Sequence, residues 1–343
     1  MSDGFLQLSR LTKRFGDHVA VDNLTLSVPR GAVLALLGPS GSGKTTTLRV
    51  LAGFERADAG TVTVDGRDVT RQAPAERHFG MVFQHYALFP HLTVGENVAF
   101  GLERDPAVDR TERVRDMLAL VDLEGFAARS VSALSGGQQQ RVAVARALAP
   151  SPRVLLLDEP LSNLDPSLRE RTRRELKAAL RKVGITTVFV THEQEEAFAL
   201  GDQVAVLNEG RLEQLGTAPD LYERPRTLFV ATFVGRASVL PGVMTAPDRA
   251  RLDAGVEWGV ETPQPLERGA RVSLVVRPEA LVLAGEGLAA TVTGCRYTGA
   301  RAYFTAEAGG ATVEFEAAVR ATQVGDVVHL RPQRALAFAE ASR

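Results

Sequence analysis

The sequence predicts an α/β domain built on a largely parallel sheet, followed by a small all-β domain. Three observations carry this. From residue 5 to about 235, apolar runs of strand length alternate with segments of helical period. One run, VLALL, ends in a glycine-rich loop that opens a helical segment. Beyond GRASVLPG, 235–242, only short strands and Gly/Pro turns remain: ARVSLVV, AATVTGC, ATVEFEA and DVVHLRP. These fit a barrel of the oligonucleotide/oligosaccharide-binding type. A chain of 343 residues is long enough for two cores.

The elements follow in order. FLQLSRL and VAVDNLTLSV alternate as half-buried strands, and AVLALLG is a continuous apolar run, as a buried strand should be. TTTLRVLAGF has helical spacing at Leu48 and Leu51. TVTVD, 61–65, reads as an edge strand and HFGMVFQ, 78–84, as another strand. Residues 101–130 are charged and read as helical. After LSGG a helix places Val142, Ala145, Leu148 and Ala149 on one face. RVLLLDEP, 153–160, is a buried strand ending in two acids. A long helix follows with Leu168, Leu176, Ala179, Leu180 and Val183 on one side and Gly184 past its end. TTVFVTH and QVAVLNEG are further strands.

Bulk properties narrow the function. The formal net charge is −1, so no global field draws the chain to nucleic acid or anionic lipid. The charged helix RERTRRELKAALRK interleaves acids and an apolar stripe with its bases and reads as a solvated face. Cys295 is the single cysteine and reads as a packed side chain; the chain can form no internal disulfide, which suits a reducing cytosol. The N-terminal stretch has no apolar signal core, and the apolar runs are far too short to span a bilayer. Any service to a membrane therefore runs through a partner.

GPSGSGKT, 38–45, matches G-x-x-x-x-G-K-[ST] between a predicted strand and a predicted helix. Gly41 and Gly43 let backbone N–H groups crowd a β-phosphate, Lys44 reaches the β- and γ-phosphates, and Thr45 offers a hydroxyl to Mg²⁺. Asp158 ends a buried strand where an acid orients Mg²⁺ or its waters, and Glu159 beside it is placed to act as general base on an attacking water. His192 and Gln84 each end a strand on the same sheet edge, one placed for the γ-phosphate or water, the other for metal or water. Phe15 is either a core residue or an aromatic that stacks on adenine. LSGGQQQR, 134–141, is a second glycine-led helix start, hence a second anion site with no phosphate of its own chain left to hold. It is expected to serve the ATP of another copy.

The ordered set GPSGSGKT, Gln84, LSGGQ, LLLDEP, SNLD and His192 resembles the ATP-binding subunit of an ABC transporter, over roughly residues 5–235. QLGTAPDLYERPRTLFVATFVG is similar to the linker of ABC import ATPases that carry an added β domain, called TOBE, and VVRPEAL resembles the early motif of that domain. The resemblance implies a P-loop NTPase fold over 1–236, with a helical subdomain at about 85–150, and a TOBE-like domain over 237–343. It implies that Phe15 stacks adenine and that Gly38, Pro39, Ser40, Gly41, Ser42, Gly43, Lys44, Thr45 and Thr46 form the Walker A loop. Gln84 is then the Q-loop glutamine, and Ser135, Gly136, Gly137 and Gln138 the signature that acts in trans. Asp158 is the Walker B aspartate, Glu159 the catalytic glutamate, Asp165 the D-loop acid and His192 the switch histidine. Thr45, Gln84 and Asp158 make up the metal set.

ATP and Mg²⁺ are the cofactors so implied. The partners are a second copy, two integral-membrane permease subunits and, indirectly, a solute-binding protein outside the membrane; nucleic acid is not among them. The place is the cytoplasmic face of the membrane, and HYALFPHLTVGENVAFGL, 85–102, borders the groove that receives the permease. Ferric iron and polyamines rank first as solutes, with sulfate, molybdate, sugars and thiamine open. Two features depart from the group: SNLD stands where SALD is commoner, and GLERDPAVDRTERV is short. A soluble ABC ATPase without a transport role is the rival reading, against which stand the single ATPase unit and the lack of a coiled-coil insertion. An ATP-binding regulator without turnover is opposed by the presence of both Glu159 and His192.

Overall fold

The computed structural model describes residues 4–104 and 109–340. Residues 105–108, inside the GLERDPAVDRTERV segment, and the first three residues lie outside the described residues. The chain divides into two compact units, Met1–Ala218 and Pro219–Arg343.

The first unit holds strands β1 (Leu6–Phe15), β2 (His18–Val28), β3 (Val33–Leu37), helix α1 (Lys44–Ala52), β4 (Ala59–Val64), β5 (Arg67–Asp68) and β6 (Phe79–Val82). Helices α2 (Val94–Ala99), α3 (Arg110–Leu120) and α4 (Gly136–Leu148) follow. Then come β7 (Val154–Asp158), α5 (Pro166–Val183), β8 (Thr186–Thr191), α6 (Gln194–Leu200), β9 (Gln203–Asn208) and β10 (Arg211–Gly216). One sheet has the order β10-β9-β3-β8-β7-β6, parallel except for the β9–β10 hairpin. The other is antiparallel, in the order β2-β1-β4-β5. The core lies between them: Leu6, Leu8, Leu11, Val62 and Val64 face Leu34, Leu36, Leu156 and Val188, with Leu48 and Leu51 of α1 packed in. Parallel strands buried on both faces need unbroken apolar runs, which VLALL and VLLL supply.

Some details differ from expectation. β4 is covered on its outer side by the two-residue β5, so TVTVD is not the edge. Among the described residues of the 101–130 segment, helix is confined to a short 3-10 turn and α3; residues 121–130 turn, because Gly125 takes φ 77° and Asp122 φ 53°. In α5 the apolar side holds at Leu176, Ala179 and Leu180, but Val183, one residue before the left-handed Gly184, is 40% exposed. α2, α3 and α4 pack on one another, and Arg113 of α3 ties down the end of α4 by donating to the carbonyls of Leu148 and Ala149. Arg77 is buried and donates to the carbonyls of Val50 and Leu51, so the last turn of α1 is closed by a side chain from outside the helix.

The second unit begins within α7 (Ala218–Glu223), continues through α8 (Leu228–Phe233), and is otherwise strand. β11 (Ser238–Ala246), β12 (Arg249–Leu252), β13 (Glu257–Gly259) and β14 (Arg271–Val276) lead into β15 (Leu281–Ala284) and β16 (Leu288–Tyr297). β17 (Arg301–Ala308), β18 (Ala311–Ala318), β19 (Val327–Pro332) and β20 (Leu336–Ala339) complete it. The strands form two antiparallel five-stranded sheets, β13-β12-β11-β14-β20 and β15-β19-β16-β17-β18, which share one core around Trp258, Phe304 and Phe315. Among the described residues no helix is long and apolar enough to cross a membrane.

Candidate active site

Strands β3, β7 and β8 end side by side, and their parallel order brings the loops that follow them to one edge of the sheet. The loop after β3 carries Gly38 to Gly43 and turns directly into α1. Gly43 caps α1 at φ 91° with no side-chain cap, so the first N–H groups of the helix face the loop's interior. Lys44 is buried, and its Nζ donates to the carbonyls of Gly38 and Pro39, both at 2.8 Å. Burial pushes the Lys44 ammonium down from its ordinary range, and the Glu159 charge opposes this.

The loop's glycines are required for different reasons. A β-carbon at Gly43 would lie 2.3 Å from the carbonyl oxygen of Ala20, and one at Gly38 2.2 Å from that of Leu207. At Gly41 a β-carbon would meet no protein atom within 4 Å; its need is the left-handed φ of 80° alone. Of Gly41 and Gly43, Gly43 is the one packed against protein backbone. Gly43→Ala is expected to shift the loop and weaken ATP binding at least about tenfold, about 1.4 kcal/mol. Gly41→Ala meets no protein atom and should weaken binding less, its cost being the roughly 1–2 kcal/mol of a left-handed β-carbon that Gly43→Ala bears in addition to its clash. Equilibrium binding of a fluorescent ATP analogue to both variants checks this; equal affinities would contradict it.

β7 delivers Asp158 and Glu159. The Asp158 carboxyl is pushed up by burial first and by the Glu159 charge second, with Arg49 opposing. Glu159 stands at φ 44°, in the left-handed region. Gln84, just beyond β6, donates from Nε2 to Glu159 Oε2 at 3.1 Å. His192, just beyond β8, has Nδ1 3.3 Å from Glu159 Oε1. The carboxylate is thus bracketed by an amide and an imidazole from the two neighbouring strands. The His192 side chain is 52% exposed and that of Glu159 21%, so the trio faces solvent. The His192 turn is fixed behind the ring: Thr191 Oγ1 accepts from Glu193 N and donates to the buried Glu196. Arg169 of α5 pairs with Glu193 and donates to Leu164 O.

Ser135 caps α4 in a reciprocal box with Gln138: Ser135 N donates to Gln138 Oε1, and Gln138 N to Ser135 Oγ. Ser135 is exposed, and Gly137 is buried where a β-carbon would lie 2.7 Å from Thr172 Oγ1. Asp165 caps α5 by accepting from Leu168 N. Phe15 is 47% exposed and therefore not a core residue. It pairs with His18 across the β1–β2 hairpin, two residues before Ala20, the neighbour of Gly43. Lys13 lies 4.9 Å from its ring centre.

Thr45, Gln84 and Asp158 offer a hydroxyl, an amide and a carboxylate, an oxygen-only donor set of the kind Mg²⁺ takes. With Gln84 Nε2 turned to Glu159, its Oε1 is the end left for an ion. Sequence reasoning missed Arg146 and Asn163, which hold the chain after Gln84. Asn163 was visible only as an unusual letter in SNLD, and Arg146 carried no signal beyond a cation among the apolar residues 142–148.

Comparison with known proteins agrees with this geometry. Residues 21–162 match the family described as ABC transporter, and residues 274–339 match the TOBE domain. The Fe(3+) ions import ATP-binding protein FbpC of Photorhabdus laumondii is 43% identical over 338 residues, 95% of this chain and 94% of that protein. The spermidine/putrescine import ATP-binding protein PotA of Pseudomonas fluorescens is 48% identical over 300 residues, 82% of this chain and 79% of its own. The sulfate/thiosulfate import ATP-binding protein CysA 2 of Chromobacterium violaceum is 49% identical over 281 residues, 81% and 75% of the two chains. The chain joins a phosphate loop, a bracketed acid beside it, a capped glycine-led helix and a TOBE domain, and by its likeness to these relatives it belongs to the ABC transporter family as an ATP-hydrolysing import subunit.

Proposed function

We propose that two copies of this chain clamp two Mg–ATP molecules at the cytoplasmic face of the membrane and drive an importer of ferric iron or a polyamine. The observation that carries the catalytic part is the bracketing of Glu159 by Gln84 and His192. Glu159 takes a proton from the attacking water, while His192 and Lys44 meet charge on the γ-phosphoryl oxygens. Phe15 stacks the adenine, and Asp165 stiffens the loop that faces the other copy. Thr45, Gln84 and Asp158 hold Mg²⁺, which supplies charge neutralisation of the phosphates. Signature groups of Ser135 and Gly137 come from the second copy; the Ser135 N–H is taken by Gln138 Oε1, so the Ser135 hydroxyl and the Gly137 amide are the donors left for that phosphate. ATP-binding and TOBE-like domains are read as meeting near residue 236.

The solute rests on what the relatives are named for, and near-equal identity to ferric-ion and polyamine proteins favours neither. Sulfate is the second reading, on the strength of an equally similar relative. Uptake of radiolabelled ferric iron, spermidine and sulfate into cells with and without the gene decides among them. Loss of none of the three sinks the solute assignment. Failure of the chain to co-purify with any membrane protein sinks the importer.

Transmission to the permease is read in the loop after Gln84. Asn97 pins its backbone by accepting from Phe89 N and donating to the carbonyls of Phe89, Leu92 and Thr93. Phe89 and Leu92 remain partly exposed, and Phe100, 4.4 Å from Phe89 between ring centres, is 49% exposed. Phe89→Asn with Leu92→Gln should cut ATP-driven uptake by about tenfold or more while ATP affinity stays within about twofold. Undiminished uptake in vesicles rules this loop out.

A further inference from the structure

The turn that follows Gln84 is costly in ways that folding alone does not require. Tyr86 and Ala87 both lie in the left-handed region, at φ 61° and 49°. There a β-carbon crowds the following carbonyl oxygen, and two non-glycine residues in succession are rarer still. Ala87 N donates to His85 O at 2.6 Å, which closes a three-residue turn around Tyr86 in its rare positive-φ form. The Tyr86 side chain is buried, and its hydroxyl has no hydrogen-bond partner among the described residues. Strain of this kind persists only where surrounding groups hold it.

The groups that hold it are two. From α4, Arg146 donates Nη1 to Ala87 O at 2.7 Å and Nη2 to Tyr86 O at 2.8 Å, with its guanidinium 5.5 Å from the Phe89 ring centre. From the loop before α5, Asn163 donates Nδ2 to Gln84 O at 2.5 Å and lies 3.2 Å from His85 Nδ1. Four consecutive residues, 84 to 87, are therefore gripped from two sides. One jaw sits on the helix that Ser135 caps. The other sits in the loop that starts at Glu159, where Ser162 Oγ donates back to Glu159 O at 3.0 Å.

We propose that Arg146 and Asn163 are positioning residues: they hold this turn in its strained form so that Gln84 reaches Glu159, and loss of either grip lets the turn relax and withdraws Gln84. The inference rests on the reading of Gln84 and Glu159 given above. It makes the placing of Gln84 depend on α4 and on the 162–165 loop together. A displacement of either, as when a second copy docks on Ser135 or Asp165, is then felt at the catalytic acid through the backbone of 84–87.

The test uses the full chain. Arg146→Lys keeps the charge and the aliphatic stem but loses the two-pronged fork, and Asn163→Ala removes the second grip. Each should lower kcat for ATP by about tenfold, with KM within about twofold, because the loss falls on the arrangement for attack rather than on nucleotide binding. Amide hydrogen exchange at residues 85–87 should rise in both. Ala87→Gly removes part of the conformational cost, so adding it to Arg146→Lys should restore kcat to within about threefold of Ala87→Gly alone. General loosening of the fold would not be rescued by one glycine. Unchanged kcat in Arg146→Lys and Asn163→Ala, in a protein that Gln84→Ala does impair, overturns the proposal. So does a defect that Ala87→Gly fails to relieve and that leaves exchange at 85–87 unaltered. Should Gln84→Ala itself leave kcat intact, the catalytic reading of Gln84 fails; unaltered exchange at 85–87 would then overturn the grip as well.

Discussion

A Glu159→Gln chain is expected to bind ATP as the parent does and to turn it over slower by roughly 10²–10⁴-fold. The amide has the size of the carboxylate and keeps an acceptor for Gln84 Nε2, so the trio's geometry survives. What it loses is the ability to take a proton. Lys44, the phosphate loop and the start of α1 are untouched, and they carry nucleotide binding. Unable to complete hydrolysis, the variant should accumulate as an ATP-bound pair. Phosphate release and size-exclusion with and without ATP measure both halves. Turnover within about threefold of the parent removes Glu159 from the base role.

The second large effect appears in a mixture. A Lys44→Ala chain and a Ser135→Arg chain should each fail alone, since Lys44 is the buried cation of the phosphate loop and Ser135 the exposed cap of α4. If each site is built from the phosphate loop of one copy and the signature of the other, a heterodimer has one site damaged twice and one site intact. It should occlude one ATP per pair, even where hydrolysis needs both sites. If each site lies within one chain, every site is damaged and nothing is retained. Purification by two different tags followed by nucleotide counting separates the outcomes. The capping box supports the shared arrangement: Ser135 and Gln138 satisfy each other's backbone, which leaves the amides of Gly136 and Gly137 at the mouth of the helix for a ligand from outside.

Much of the site was legible because the chemistry is local. G-x-x-x-x-G-K-T names its own loop, and a buried apolar strand that ends in acids announces where those acids must lie in a parallel sheet. Glu159, His192 and Gln84 could be placed on one edge because each ends such a strand. That all three meet in one hydrogen-bonded set is a matter of strand order, β6 beside β7 beside β8, which no single segment encodes. Arg146 and Asn163 were illegible for the same reason: they act 59 and 79 residues away along the chain. The left-handed Tyr86 and Ala87 were also hidden, since residues with β-carbons give no compositional sign of positive φ. For Phe15 the sequence left a core residue and an adenine-stacking aromatic as alternatives, and its exposure removes the first. In the second unit, alternation revealed strands but not their division into two sheets, because register and partner choice depend on turns and on a core shared at long range.

The place of β3 in its sheet also sets a timetable for synthesis. β3 lies between β8 and β9, with Val33 beside Thr187 and Leu34 beside Gln203. The antiparallel β1, β2 and β4 can pair as soon as they leave the ribosome, but β3 must wait for partners made much later. At ordinary elongation rates of about 5–20 residues per second, that wait is roughly 10–30 s. Until β8 is made VLALL has neither neighbour, and until β9 is made Gly38 lacks the Leu207 carbonyl against which it packs. A nascent chain halted before β9 therefore exposes an apolar strand that invites chaperones or aggregation, and it has no finished loop for a nucleotide. ATP enters as a ligand of the completed domain, stabilising it by mass action once the last strands have closed, and it cannot template the fold that receives it.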